Sequence, residues 1–386
     1  MRIVHILTRM QRGGSEENTA EVCRWQAAAG HEVWLIHGGD AHPCWHGAMP
    51  GVLRLCLQSL VHPVDPVRDL NALRTLRRVL RDLAADVVHT HQSKAGVLGR
   101  LAAAGQGARV VHGMHIMPAE GTLMRAAERR VTAVTHRFIG VSHAVCAAHL
   151  RHGLAREADT VCVRSGLDLE RFRNAAPPPD RAGLLGLDPL GAGLSSPPTA
   201  LFLAALEPRK NHAAFLHAWA AAAAIRPDAR LLIAGDGPLA AELGVLVQTL
   251  GLGDRVRFLG HRDDPERLIA LADVVCLPSE REGLPRVAVQ ALAGGRPFIG
   301  TMLPGLTELV VPQRTGLVVD GPGAVARATL ALLADPARLR SMQAQARRAD
   351  LSDWALSGLG PATTRAYARQ TDASVQSSDA RATLFA

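Results

Sequence analysis

The sequence predicts an α/β protein built from two doubly wound, parallel-sheet domains, and three observations predict it. Short β-branched runs alternate with helical periodicity through residues 1–173, and the alternation resumes at about residue 199. Such alternation makes parallel strands joined by crossover helices. Between the two series, Asn174–Pro179 and Leu190–Pro198 are rich in Pro, Gly and Ser, the composition of a boundary. Finally, 386 residues are long for one core and comfortable for two. The expected division is 1–175 for the first domain, 176–198 for a linker, 199–355 for the second domain, and 356–386 for a C-terminal helix and tail.

In the first domain, strands are expected at Ile3–Leu7, Glu32–His37, Val52–Leu57, Asp86–His89, Arg109–His112 and Arg137–Val141. Helices lie between them, for example Ser15–Ala29 and Asp69–Leu83. The second domain fits strands at Ala200–Ala204, Arg230–Ala234, Val256–Leu259, Asp273–Leu277, Pro297–Gly300 and Gly316–Val319. Beyond about residue 371 the tail is expected to fray. Ligands of open parallel sheets collect at the carboxyl ends of the strands, so function is sought in the loops there. Two such domains facing one another place those loops along a cleft.

Composition narrows the class. Hydrophobic residues at 48% with charged residues at 20% indicate a soluble globular protein. No apolar run approaches the ~20 residues of a membrane span, and Met1–Leu7 reads as a strand, not a signal segment. The six cysteines show no ligand-like spacing and read as reduced core thiols of a cytoplasmic protein.

The net charge of +8 is uneven: residues 1–173 hold 22 Lys and Arg against 15 Asp and Glu, and the remainder 21 against 20. Fourteen of the 17 histidines also fall in the first part. Aromatic residues, at 3%, are too few for stacking platforms, which argues against nucleic acid. A basic first half suits an anionic membrane surface or a phosphorylated acceptor, or is Arg-rich composition without a partner. Within Arg68–Arg81, Leu70, Leu73, Leu76 and Leu80 recur at helical steps, with Arg74, Arg78 and Arg81 on the neighbouring face. That pattern fits a membrane-surface helix at the inner face of the membrane. Such a helix more often packs its leucines on the sheet and solvates its arginines.

The densest chemistry follows the run Ala272–Leu277. Pro278–Arg286 is a Gly-containing loop, and Pro285 suits the first position of a helix. Backbone N–H groups of Gly283 and Leu284 would then point out of a helix start and seat a phosphate. Glu282 stands ahead of the seat and Gln290 about 9 Å along the helix. A carboxylate and an amide so placed could hold two sugar rings flanking a pyrophosphate; otherwise the stretch is a strand, turn and helix with an incidental acid.

Gly13-Gly14-Ser15 follows the first strand; glycines admit a close ligand, and Ser15 can cap the helix. His112 and His115 follow another strand, and Val87–Gly96 forms a further loop at a strand end. Leu203–His212 carries Arg209 and Lys210, the latter one of only two lysines against 41 arginines. The turn Ala234-Gly235-Asp236-Gly237-Pro238 lacks the third glycine and the downstream acid of a dinucleotide fingerprint, so a Rossmann oxidoreductase is not predicted. No Asp-x-Asp occurs, so a carboxylate-bridged Mg²⁺ has no evident ligands, and no metal or other cofactor is expected.

Taken in chain order, these stretches resemble the retaining glycosyltransferases of family 4, whose Glu-x7-Glu signature sits in a GT-B fold of two facing nucleotide-binding-like domains. The resemblance runs from residue 1 to about 355. It implies that Glu282 and His115 meet the donor sugar. Gly14, Arg209, Lys210, Gly283 and Leu284 would hold the donor diphosphate, and Gly235, Gly237, His261 and Gln290 the nucleoside. It further implies transfer from a nucleoside-diphosphate sugar to a cell-envelope or lipid-linked glycan. Two positions depart from the pattern: Gln290 replaces the second Glu, and Ala205 stands where the family carries an Arg. Those departures leave open a non-catalytic binding or regulatory subunit of the same fold, and the architecture also suits a nucleotide-sugar epimerase.

Overall fold

The computed structural model describes residues 1–47, 49–118, 121–186 and 196–368. The tail beyond residue 371 and residues 190–195 of the Pro/Gly/Ser-rich stretch lie outside them. The chain divides into two compact units, Met1–Ser165 with Ser357–Ala386, and Gly166–Leu356.

Unit 1 is a parallel sheet of β1 (Arg2–Leu7), β2 (Glu32–Gly38), β3 (Val52–Leu57), β4 (Val87–His91), β5 (Arg109–Met114), β6 (Arg137–Gly140) and β7 (Thr160–Cys162). Its order is β3-β2-β1-β4-β5-β6-β7. Helices α1 (Gly14–Ala28), α2 (Pro66–Leu83), α3 (Ser93–Ala103), α4 (Thr122–Val131) and α5 (His143–Arg151) make the crossovers. The order reverses between β1 and β4, which makes their carboxyl ends the switch point where such sheets bind ligands. Strands β4 and β5 each run two residues beyond the sequence expectation, so His91, Gly113 and Met114 are sheet residues.

Helix α2 starts on Asp65, whose side chain accepts from Arg68 N, with Pro66 in the first turn. Its core stripe is Ala72, Leu76 and Leu80, while Leu70 and Val67 stay exposed, so the leucine pattern of the sequence is only half a packing face. Arg74, Arg78 and Arg81 are exposed.

Unit 2 opens with α6 (Leu169–Arg173) and α7 (Arg181–Leu185). Its sheet alternates β8 (Thr199–Leu203), α8 (His212–Ala222), β9 (Arg230–Ala234), α9 (Ala240–Thr249), β10 (Val256–Phe258), α10 (Pro265–Leu271), β11 (Val274–Leu277), α11 (Arg286–Ala293), β12 (Phe298–Thr301) and β13 (Gly316–Val319), followed by α12 (Gly321–Leu333) and α13 (Pro336–Arg347). The order β10-β9-β8-β11-β12-β13 repeats the arrangement of unit 1, with its switch point between β8 and β11. The central strand β11 (Val274–Leu277) is apolar and buried throughout, as in a parallel sheet covered by helices on both faces.

The dividing point falls at Ser165–Gly166, ahead of the Pro/Gly/Ser-rich stretch, because Leu169, Phe172 and Leu185 are buried in the core of unit 2. The last helix, α14 (Leu356–Arg365), packs on unit 1. A Cβ on Gly360 would stand 2.3 Å from Trp25, and Arg109 and Arg137 donate to the carbonyls of Ala368 and Ala366. Cys44 and Cys56 are exposed, so the expectation of core thiols fails for those two. No helix among the described residues is long and apolar enough to cross a membrane.

Candidate active site

At the switch point of unit 2 the loops after β8 and β11 are tied together. Asn211, held at φ 57°, donates its side-chain amide to Pro278 O (3.1 Å), and Glu280 N donates to Arg209 O (2.9 Å). This stitching brings Lys210 and Glu282, 72 residues apart, into contact: Lys210 Nζ donates to Glu282 Oε1 at 2.5 Å. Arg209 Nη1 donates to the same oxygen at 3.1 Å while its Nε holds Glu207 at 2.9 Å. Adjacent residues need not point the same way, but Arg209 and Lys210 do. The side chains of Lys210 and Glu282 are 11% and 14% exposed, so the pair is desolvated enough to matter and open enough to exchange partners. The other lysine, Lys94, is bonded to Asp69 and Pro63 O and pins a loop to α2.

The glycines of the 235–237 turn are spent on packing. A Cβ on Gly235 would lie 1.9 Å from Ala204 O, and one on Gly237 2.6 Å from Leu206 O. Only glycine lets this turn press against the backbone that leads into Arg209 and Lys210. Gly235 N also donates to Gly260 O, next to His261, which is exposed and bonded to Asp263 at 3.0 Å.

One local expectation is corrected. Pro285 has extended ψ (103°) and stands outside the helix, which begins at Arg286, so the first free helical amides are not those of Gly283 and Leu284. Both residues lie buried in the bend before the helix, Leu284 against the core of unit 2. Gln290 lies on α11, half-buried between buried Val289 and Ala291.

At the switch point of unit 1, α1 begins at Gly14 with Gly13 as its extended N-cap, so Ser15 lies inside the first turn and does not cap it. Ser15 Oγ donates instead to Glu16 Oε2 at 2.5 Å, and burial holds the Glu16 carboxyl above the usual carboxylate range. Glu16 also accepts from Gln92 Nε2 at 3.1 Å, and Gln92 Oε1 accepts from Thr8 N at 3.2 Å and from Thr8 Oγ1. Gln92 sits at φ 64°, ψ 164°, strain of about 1–3 kcal/mol that these bonds hold in place. Glu16 and Gln92 are functional candidates to which the sequence reading gave no role. Their signal was present, an acid two residues after Gly-Gly and an amide at the end of β4, but the bond between them depends on β1 lying beside β4.

His115 is one end of a chain of rings. Its Nε2 lies 2.9 Å from His91 Nδ1; His91 Nε2 lies 3.0 Å from His5 Nδ1; His5 Nε2 lies 2.9 Å from Gln26 Oε1. Gln26 donates its amide to Thr364 Oγ1 and Tyr367 Oη, which leaves its carbonyl for His5. Neutral tautomers then run one way, each Nε2–H donating toward Gln26. Burial pushes His5 and His115 down to about 4 and His91 well below the ordinary imidazole range, so His115 would meet a ligand uncharged at neutral pH.

Two units built on the order 3-2-1-4-5-6, with cations and a carboxylate at one switch point and a buried acid beside a half-buried amide and histidine at the other, set the frame for comparison. Residues 12–171 match the family described as Glycosyltransferase Family 4, and residues 193–349 that described as Glycosyl transferases group 1. The chain belongs to the family 4-like GT-B glycosyltransferases. An Escherichia coli relative, UDP-Gal:alpha-D-GlcNAc-diphosphoundecaprenol alpha-1,3-galactosyltransferase, is 28% identical over 68% of this chain and 69% of its own. The D-inositol 3-phosphate glycosyltransferase of Streptomyces avermitilis is 32% identical over 70% of this chain, and the match spans 62% of that enzyme. Anabaena HepE, crystallised with UDP, superposes with a TM-score of 0.78 at 19% identity, over 95% of this chain and 99% of its own, a likeness of fold. The two parallel α/β units of this glycosyltransferase are thus the GT-B pair that the sequence predicts.

Proposed function

We propose that this glycosyltransferase is a retaining hexosyl-type enzyme that moves a sugar from a nucleoside diphosphate to a lipid-linked or cell-envelope glycan. The observation that carries the reading is the convergence of Lys210 and Arg209 on one oxygen of Glu282 at the unit 2 switch point. The two cations and the bend at Gly283 and Leu284 take the diphosphate. Glu282 holds the donor sugar, Gln290 takes the ribose, and the 235–237 turn with His261 takes the base. The acceptor hydroxyl attacks the anomeric carbon on the face that the diphosphate leaves. The carbon–oxygen bond to phosphate breaks, and the hydroxyl proton passes to the departing phosphate oxygen. The E. coli relative, named for a UDP-sugar donor and a diphosphoundecaprenol acceptor, supports a donor and an acceptor of these classes.

A thermal-shift panel of UDP-, GDP- and ADP-sugars tests the reading. Binding at 100 times Kd adds about 2.7 kcal/mol of stability; a chain that none of the three stabilises is not this enzyme. Turnover of the bound donor without an acceptor would instead mark an epimerase. Binding without turnover would mark a regulatory subunit, the reading that Ala205 favours, since no guanidinium stands there.

Gln290 gives a sharper check. Its carbonyl offers one acceptor to ribose hydroxyls, and a carboxylate accepts more strongly. Gln290→Glu is therefore expected to keep or improve donor affinity, read by calorimetry. A loss of tenfold or more would show that the amide N–H₂ is what the donor needs.

The acceptor class also predicts membrane contact. Arg74, Arg78 and Arg81 project from α2 beside exposed Leu70 and Val67, and each basic residue at an anionic surface contributes about 1 kcal/mol. The protein is expected to pellet with anionic but not neutral vesicles, and to be released by high salt and by Arg74/Arg78/Arg81→Glu. Failure to pellet at low salt would leave a soluble acceptor.

A further inference from the structure

The histidines of unit 1 hold a donor set that sugar transfer leaves unused. His5 on β1 and His89 on β4 are partners in register, and His91 lies two residues on, so all three rings share one face of the sheet. Each is buried, and each has one nitrogen tied from behind: His5 Nε2 by Gln26 (2.9 Å), His89 Nδ1 by Tyr367 Oη (2.8 Å), His91 Nδ1 by His115 (2.9 Å). The remaining nitrogens are His5 Nδ1 and His91 Nε2, whose hydrogen bond to one another a metal would replace, and His89 Nε2. The first two lie 3.0 Å apart, and the third is buried without a partner.

A histidine that binds metal through one nitrogen almost always has the other anchored by an amide, carbonyl or similar group, and here all three are. One ring nitrogen from each lies within 4.8 Å of the others. Nitrogens sharing a zinc at about 2.1 Å stand about 3.4 Å apart, a difference that small ring rotations close. A Cβ on Gly113 would intrude to 3.2 Å from His89 Nε2, so glycine keeps the space beside it open. Next to the rings is a cavity of about 30 Å³ lined by Asn18, Thr19, His89, His91, Gly113 and His115, room enough for a water.

We propose that His5, His89 and His91 bind one divalent transition metal of the zinc type, with a water from the adjoining cavity in the fourth position. Three imidazoles select such a metal and not Mg²⁺ or Ca²⁺, which need oxygen donors. The absence of Asp-x-Asp speaks only to a carboxylate-bridged Mg²⁺ and leaves this nitrogen set untouched. Metal on His91 Nε2 leaves the Nδ1–H of that ring to donate to His115, so the site also fixes the orientation of His115. The proposal does not depend on the identity of donor or acceptor, and its test reads metal alone.

The full-length, tag-free protein is stripped with chelator and titrated with Zn²⁺ against a chromophoric competitor, then with Co²⁺ for its visible spectrum. One equivalent at a Kd of ~1 μM or tighter is expected, with the intense bands of tetrahedral Co²⁺. His89→Ala and His91→Ala each lose the site. Tyr367→Phe keeps all three ligands and the packing but removes an anchoring bond, and is expected to weaken Zn²⁺ by about tenfold. Absence of stoichiometric binding by the wild type overturns the proposal, as does a site that His89→Ala leaves unchanged. Should His89→Ala fail to fold, an unchanged affinity in Tyr367→Phe overturns it as well.

Discussion

Unit 1 of the metal-free protein is expected to unfold as pH falls from about 6.5 toward 4, while unit 2 stays folded. The cause is six desolvated imidazoles in unit 1. Burial pushes His5, His115 and His149 down to about 4, and pushes His89, His91 and His112 well below the ordinary range, with neighbouring rings and Arg100 adding repulsion. Their folded pKa values are depressed, so the unfolded chain binds more protons throughout this window. Stability is complete above the unfolded value of about 6.5 and is lost on acidification. Each imidazole held neutral costs the fold about 1.4 kcal/mol per pH unit, so two of them already remove about 3. A domain of ordinary stability, about 5–15 kcal/mol, cannot survive several such terms down to pH 4.

Glu16, whose pKa burial raises, acts in the opposite sense, but it is one group against six. Unit 2 holds a single histidine of this kind among its described residues, His212, also pushed down to about 4 by burial. Hydrogen exchange read by mass spectrometry, corrected for the intrinsic pH dependence, should show peptides of β1, β4 and β5 losing protection first. Loss of both units together, or a unit 1 intact at pH 4, would contradict this account of the cluster.

That cluster was half legible in the sequence. His89-Thr90-His91 is an alternation that puts both rings on one face of any strand, and the excess of histidine in the first 173 residues was plain. What placed His5 against them is the pairing of β1 with β4, strands with two others between them in the chain, and Tyr367 comes from the far end of the chain. Strand cores were read well because buried parallel strands are apolar runs: β3, β9 and β13 have the expected bounds. Strand β7 was missed because three half-buried residues at a sheet edge carry almost no pattern. The ends of β4 and β5 were read as loop because histidine and glycine interrupt the apolar run just where the site begins.

Glu282 and Lys210 were singled out by residue type and loop position, but their shared contact with Arg209 needed β8 and β11 to be neighbours. Ser15 and Pro285 were each misassigned to a helix boundary by one or two residues, the scale on which capping is decided by backbone angles that sequence leaves open.

Lys210→Ala and Glu282→Gln are expected to move nucleotide affinity in opposite directions. Lys210 and Arg209 both spend a hydrogen bond on Glu282 Oε1. A diphosphate must take Lys210 from that carboxylate and must lie near a negative charge while doing so. Removing the lysine deletes a charge-assisted bond to phosphate, about 1.5–3 kcal/mol, or one to two decades in Kd for the nucleoside diphosphate. The fold should tolerate the change, because Glu282 keeps Arg209 at 3.1 Å. Neutralising Glu282 instead releases both cations and removes the repulsion, so Glu282→Gln should bind the nucleoside diphosphate several-fold more tightly. The same substitution weakens the contact to the donor sugar and should lower kcat/KM by one to two decades. Calorimetry with the nucleoside diphosphate and steady-state rates with the sugar nucleotide separate the two effects. If Lys210→Ala leaves diphosphate affinity unchanged, the lysine serves only to neutralise Glu282. If Glu282→Gln weakens diphosphate binding, the carboxylate is needed to hold Lys210 and Arg209 in position, and the competition inferred from the three-residue contact is wrong.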